Sequence, residues 1–148
     1  MLEVLAARGY ATSEVAPLWL SKATARGVTV DVITRSTGEI LLDDEMLERT
    51  VIREWHGRQL PLMPPEDLFV MKVVAASEDT PRYWYDGLAI VARGDLDWDY
   101  LLRRASVHGP RKVLSALLFA EASDLAVPSR AVERLFALVH PSQETWPT

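Results

Sequence analysis

The sequence predicts an α/β (α+β) fold, with a small mixed sheet in the first part of the chain and a helical half behind it. Three observations carry this. Val28-Thr29-Val30-Asp31-Val32-Ile33 alternates β-branched residues with the two-residue period of a strand. Pro64-Pro65-Glu66-Asp67 then changes the regime, because proline early in a helix with acidic residues in the first turn is a start signal. From there the chain reads as successive helices punctuated by glycine and proline.

Taken in order, Leu2 to Arg8 predicts a short helix closed by Gly9, too short to stand alone and so docked on something. Residues 10–26 give mixed signals, with Trp19 and Leu20 apolar and Lys22 and Arg26 charged. The Val28–Ile33 strand follows, and after a turn at Ser36-Thr37-Gly38 its expected hairpin partner is Glu39-Ile40-Leu41-Leu42. Asp43 or Asp44 caps a short helix running through Arg49. Residues 50–55 and 58–63 are extended, and His56-Gly57 between them predicts a second hairpin. Helices are expected over 68–76, 81–93, 97–108, 111–122 and 129–139, the third capped by Asp95 or Asp97 and the last set behind Pro128. A single domain is expected over 1–140, its strand-containing part at 1–63 and its helical part at 64–140, followed by a tail at 141–148.

The 148 residues suffice for one domain with a real core. Acidic residues outnumber basic ones, 21 to 16, and the two are interleaved. A net charge of −5 argues against a protein whose main task is gripping nucleic acid by its phosphates, while leaving room for a local basic cleft. The absence of cysteine excludes disulfides, thiolate metal sites and cysteine nucleophiles. His56, His108 and His140 have no ligand spacing, which argues against zinc. The first residues lack the basic and apolar regions of a signal peptide, and no apolar run is long enough to span a bilayer, so the expected location is cytoplasmic.

Three residues stand out because packing alone would not choose them. Asp31 interrupts a core-like strand; it is either a metal or general-base ligand on a rigid element, or an edge carboxylate facing solvent or a cation. Lys72 sits in Leu68-Phe69-Val70-Met71-Lys72-Val73-Val74-Ala75-Ala76, apolar all round. It either snorkels to the rim or aims its ammonium at an anion such as a phosphate. Asp86 is the one carboxylate of Tyr83-Trp84-Tyr85-Asp86-Gly87-Leu88-Ala89-Ile90-Val91-Ala92; it either answers Arg82, Arg93 or the helix dipole, or lines a cleft. The three are expected around one shared cleft as an acid–base–acid cluster. Arg103-Arg104 and Arg111-Lys112 read as solvated basic edges, and Trp84, Trp98 and Trp146 as core rather than base-stacking platforms.

The order of these motifs resembles the DNA-polymerase-β-like nucleotidyltransferase superfamily, in particular its bacterial minimal branch with abortive-infection and toxin–antitoxin members. The resembling stretches are Val28–Ile33, Pro65-Glu66-Asp67-Leu68-Phe69-Val70-Met71-Lys72, Tyr83-Trp84-Tyr85-Asp86-Gly87-Leu88 and Leu96-Asp97-Trp98-Asp99-Tyr100-Leu101. The resemblance implies nucleotidyl transfer from a nucleoside triphosphate to an acceptor, with Mg²⁺ as metal. It implies Asp31 as the third metal-binding carboxylate, Lys72 as the nucleotide-facing lysine, and Asp86 as an acid lining the same cleft. The chain departs from the family by lacking its Gly-Ser turn and the following strand with two alternating aspartates. The expectation is a shortened or degenerate nucleotidyltransferase-like protein, inactive by itself. The alternative is a non-catalytic interaction module or toxin–antitoxin component, with self-association or a protein partner at an exposed sheet edge, no membrane, and nucleic acid still open as an acceptor.

Overall fold

The computed structural model describes residues 1–16 and 18–141. Pro17, Trp146 and all of the expected tail beyond residue 141 lie outside the described residues. The fold is α+β, with small antiparallel sheets and seven helices among the described residues. The chain forms two compact units, Met1–Leu42 and Asp43–Thr148. The strand-to-helix change expected at 63/64 falls inside the second of them.

In the first unit, helix α1 (Leu2–Ala7) packs on strands β1 (Ala11–Ala16) and β2 (Leu20–Ala25), and β3 (Val28–Ile33) completes a sheet of order β1-β2-β3. The mixed stretch before Val28 is thus two strands. Its small and polar residues (Ala11-Thr12-Ser13-Glu14, then Ser21-Lys22-Ala23-Thr24-Ala25) hide the alternation that hydropathy would reveal.

The partner of β3 differs from expectation. It pairs with β2, Ala23 opposite Val30 and Lys22 opposite Asp31, while β5 (Ile40–Leu41) pairs with β4 (Arg35–Ser36). The reason is the turn. Arg26 and Gly27 both take positive φ, 51° and 76°, the two-residue geometry whose twist matches flanking antiparallel strands. Closing this two-residue turn also costs less chain entropy than closing the six residues that lead to residue 40. Every strand pair among the described residues is antiparallel, so a mixed sheet does not form; parallel pairing needs a crossover of a dozen or more residues.

The second unit opens with helix α2 (Asp44–Glu48), capped by Asp43, whose carboxylate accepts the Met46 N–H at 2.9 Å. The hairpin β6 (Val51–Trp55) and β7 (Arg58–Leu62) turns at His56-Gly57, φ 49° and 71°, as the sequence indicates. Then come α3 (Pro65–Ala75), α4 (Arg82–Arg93), α5 (Trp98–His108), α6 (Pro110–Ala122) and α7 (Ser129–Val139). Helix α3 starts earlier than expected, because Pro65 itself occupies the first turn. It is the centre of the bundle, with α4, α5 and α6 packed around it. Phe69 and Val73 of α3, Leu101 and Ala105 of α5, Leu117 of α6 and Leu135 of α7 are fully buried and form the core. Among the described residues no helix is long and apolar enough to cross a membrane.

Candidate functional site

Two of the three singled-out residues meet. Lys72 on α3 and Asp86 on α4 form an ion pair, Nζ to Oδ2 at 2.9 Å. The helices are held close by Gly87, where an added Cβ would stand 2.9 Å from Val73 Cγ2 and 3.6 Å from Phe69 Cδ2. Because Asp86 precedes Gly87 and Lys72 precedes Val73, the close approach at the glycine brings the charged neighbours together. Both side chains are about one-third exposed, so the pair lies at the rim of the helix packing.

Two aromatic and cationic neighbours on α4 complete the cluster. The Lys72 ammonium lies 4.3 Å from the centre of the Tyr83 ring, and Arg82 Nε is 3.8 Å from Asp86 Oδ1. The Lys72 hydrogen bond, foremost, with the charges of Lys72 and Arg82, holds the Asp86 carboxyl below the usual carboxylate range against the opposing effect of desolvation. Two cations therefore share one carboxylate, leaving a surplus positive charge at a partly exposed helix pair. Such an arrangement can attract an anion.

Asp31 has a different environment. It lies in the first unit, on the outermost strand of its sheet, and its carboxylate pairs with Lys22 directly across β2 at 3.0 Å. Thr24 and Thr29 share the same face and are hydrogen-bonded at 3.0 Å. Asp31 is therefore tolerated in its strand as half of an exposed cross-strand ion pair on a polar face. The Asp31 carboxylate is paired with an ammonium, and among the described residues no three His, Asp or Glu side chains form a metal-holding group.

Sequence reasoning missed the polar cluster that is most deeply buried. Asp67 on α3 is 1% exposed and Arg104 on α5 is 8% exposed, and Arg104 Nε donates to Asp67 Oδ1 at 2.6 Å. The Tyr100 hydroxyl donates to the other Asp67 oxygen, and Arg104 Nη1 bonds Asp43. Burial, then the Asp67 hydrogen bond, pushes the Tyr100 phenol well above its ordinary range. Around this centre, Glu66 accepts the Asp97 N–H at 2.7 Å, and Asp97 caps α5 through the Tyr100 N–H. Arg49 binds Asp97 at 2.9 Å while lying 4.1 Å over the Tyr100 ring.

Arg104 is thus no solvated edge, although Arg103, half-exposed and paired with Glu45, is close to one. The signal was spacing: Arg104 stands four residues after Tyr100 and three after Leu101, on the apolar face of its helix. The Lys112 ammonium is likewise occupied, donating to the carbonyls of Val74 and Ala76 at the end of α3. Trp84 is half-buried, edge-on to Phe119, and walls a shallow groove of about 300 Å³ with Val73, Ala76 and Ser115. No family model, curated protein or solved structure matches this chain.

Proposed function

We propose that this chain is a nucleotidyltransferase-like protein in which Lys72, steadied by Asp86, offers its ammonium to the phosphates of a nucleoside triphosphate. One observation carries the reading. The two residues that the family resemblance places at a nucleotide cleft are ion-paired at a rim where each is about one-third exposed, with Arg82 adding a second cation. In this role Asp86 positions the ammonium and Tyr83 supplies an aromatic surface beneath it. Asp31, engaged with Lys22, takes no part in metal binding in this polypeptide. Nucleotidyl transfer through two divalent ions would need more carboxylates than Asp31 alone. The protein accordingly binds nucleotide without transferring it when alone, and it does so in the cytoplasm.

The test is calorimetric titration of the intact chain with each of the four ribonucleoside triphosphates. Weak binding is expected, weakened about 10- to 100-fold in Lys72→Met, the effect of losing one charge-assisted contact. Asp31→Asn should leave binding unchanged. Absence of binding, or binding indifferent to Lys72→Met, would refute the nucleotide reading. Label transfer from a triphosphate to RNA, protein or a small acceptor, lost in Asp31→Ala, would refute the inactive assignment and restore Asp31 as a metal ligand.

A further inference from the structure

The open edge of β3 has the geometry of a self-complementary strand. Thr34 N–H donates to Trp19 O at 2.9 Å, which fixes the phase of the ladder. Val32, Val30 and Val28 therefore direct their backbone groups toward β2, and Thr29, Asp31 and Ile33 turn theirs outward. The opposite edge of the sheet is protected, since β1 is interrupted by a register irregularity between Glu14 and Ala16. Strand β3 has no such device. Its six residues run in unbroken register without proline or lysine, and its single charge is already balanced by Lys22. Val28 is 62% and Val30 45% exposed on the face it shares with buried Ala23.

We infer that β3 pairs with β3 of a second copy of this chain, antiparallel, about a twofold axis at Val30. Charge and hydrogen-bond complementarity select both the partner and the register. An axis falling between two residues would set Asp31 among the valines of the second copy. An axis at Asp31 would oppose two carboxylates directly, which is unfavourable. Axes at Thr29 or Val32 would leave Asp31 opposite Gly27 or Ile33, neither of which has a side-chain donor. The axis at Val30 sets Asp31 opposite Thr29, whose hydroxyl is oriented through its bond to Thr24 and can donate to the carboxylate. It also sets Val30 on Val30 and Val28 on Val32, so three valines from each copy make one apolar patch across a continuous six-stranded sheet. The outward backbone groups of Thr29 and Asp31 then bond each other in both directions. This interface is independent of the nucleotide site.

The absence of cysteine from these 148 residues makes the register directly testable. Opposed residues on a twofold axis between hydrogen-bonded pairs have Cα atoms about 4.5 Å apart, within disulfide range. Val30→Cys should therefore oxidise to a covalent dimer under mild conditions, while Glu14→Cys on the other edge should form no covalent link. By sedimentation equilibrium the unmodified protein should have twice the chain mass, and Val30→Lys should have the single-chain mass with an unchanged far-ultraviolet spectrum. Mixing Val30→Lys with Val30→Glu should restore the doubled mass, which separates loss of pairing from loss of folding. A strictly monomeric unmodified protein at high concentration would overturn the inference. So would Val30→Cys cross-linking no faster than Glu14→Cys, or an association that Val30→Lys leaves intact.

Discussion

Asp67 and Arg104 meet inside the helical bundle, carboxylate Oδ1 to guanidinium Nε at 2.6 Å, and join α3 to α5 where both side chains are almost wholly out of water. Each is also bonded elsewhere, Asp67 to the Tyr100 hydroxyl and Arg104 to Asp43 ahead of α2. Charges removed from water need this many partners to be tolerated. The cluster therefore fixes where the start of α2 meets the first turn of α3 and the second turn of α5.

Removing one member of that pair should be costly. Arg104→Met leaves Asp67 with the Tyr100 hydroxyl alone and is expected to lower stability by about 3–5 kcal/mol. Urea denaturation at neutral pH measures it. A loss below about 1 kcal/mol would mean that Asp67 is accommodated without its guanidinium partner.

Gly87→Ala sets two effects against each other. Alanine gains about 0.5–1 kcal/mol of helix propensity over glycine. Its Cβ, however, would meet Val73 Cγ2 at 2.9 Å, and Val73 is fully buried and β-branched, with little freedom to turn away. Overpacking of this kind costs about 1–3 kcal/mol, so a net loss near 1 kcal/mol is expected. The combined Gly87→Ala, Val73→Ala variant should lose less than the sum of its singles, and a melting series of the four proteins decides the matter.

Acid should expose the carboxylates that cap and pair. The Tyr100 N–H, first, and then Arg49 hold Asp97 below its ordinary value of 3.8. For Asp43, burial acts upward but is outweighed by the Met46 N–H and by Arg104, so its carboxyl too is lowered. A depressed folded-state value adds stability above the unfolded pKa, and that stability is lost as pH falls through the folded value. Unfolding free energy should therefore drop below pH 3.8 through these groups. Asp97→Asn should be less stable than the parent at neutral pH and should lose less on going from about pH 4 to about pH 2.

Asp31→Asn should matter little to stability. The Lys22–Asp31 pair is roughly half in water, and exposed pairs contribute about 0–1 kcal/mol. Its small effect should shrink further in 1 M salt, where screening acts within about 3 Å. A loss of several kcal/mol by thermal or chemical denaturation would show that Asp31 does more than answer Lys22.

The sequence by itself determined the elements whose signals are local. Proline followed by two acids marks the approach to α3, one of Asp43 and Asp44 and one of Asp95 and Asp97 caps its helix, and His56-Gly57 turns its hairpin, because capping and turn geometry depend on a few consecutive residues; the structure selects Asp43 and Asp97 and starts α3 at Pro65. The weak hydropathy pattern of residues 20–25 concealed β2 and with it the true partner of β3. Lys72 and Asp86 were legible as isolated charges in apolar helices; their pairing required the close helix contact at Gly87. Tertiary structure alone decided the rest. Asp31 left two readings open, a ligand on a rigid strand or an edge carboxylate facing solvent or a cation, and only the register with β2 shows that Lys22 and the threonines make its face polar. Arg104 looked solvated because arginine usually is, and only the packing of α5 on α3 brings it to Asp67. A charge is placed by the partners it finds across the fold, and those partners are distant in sequence, which is why local pattern fixed the helices and turns but not the electrostatic network that joins them.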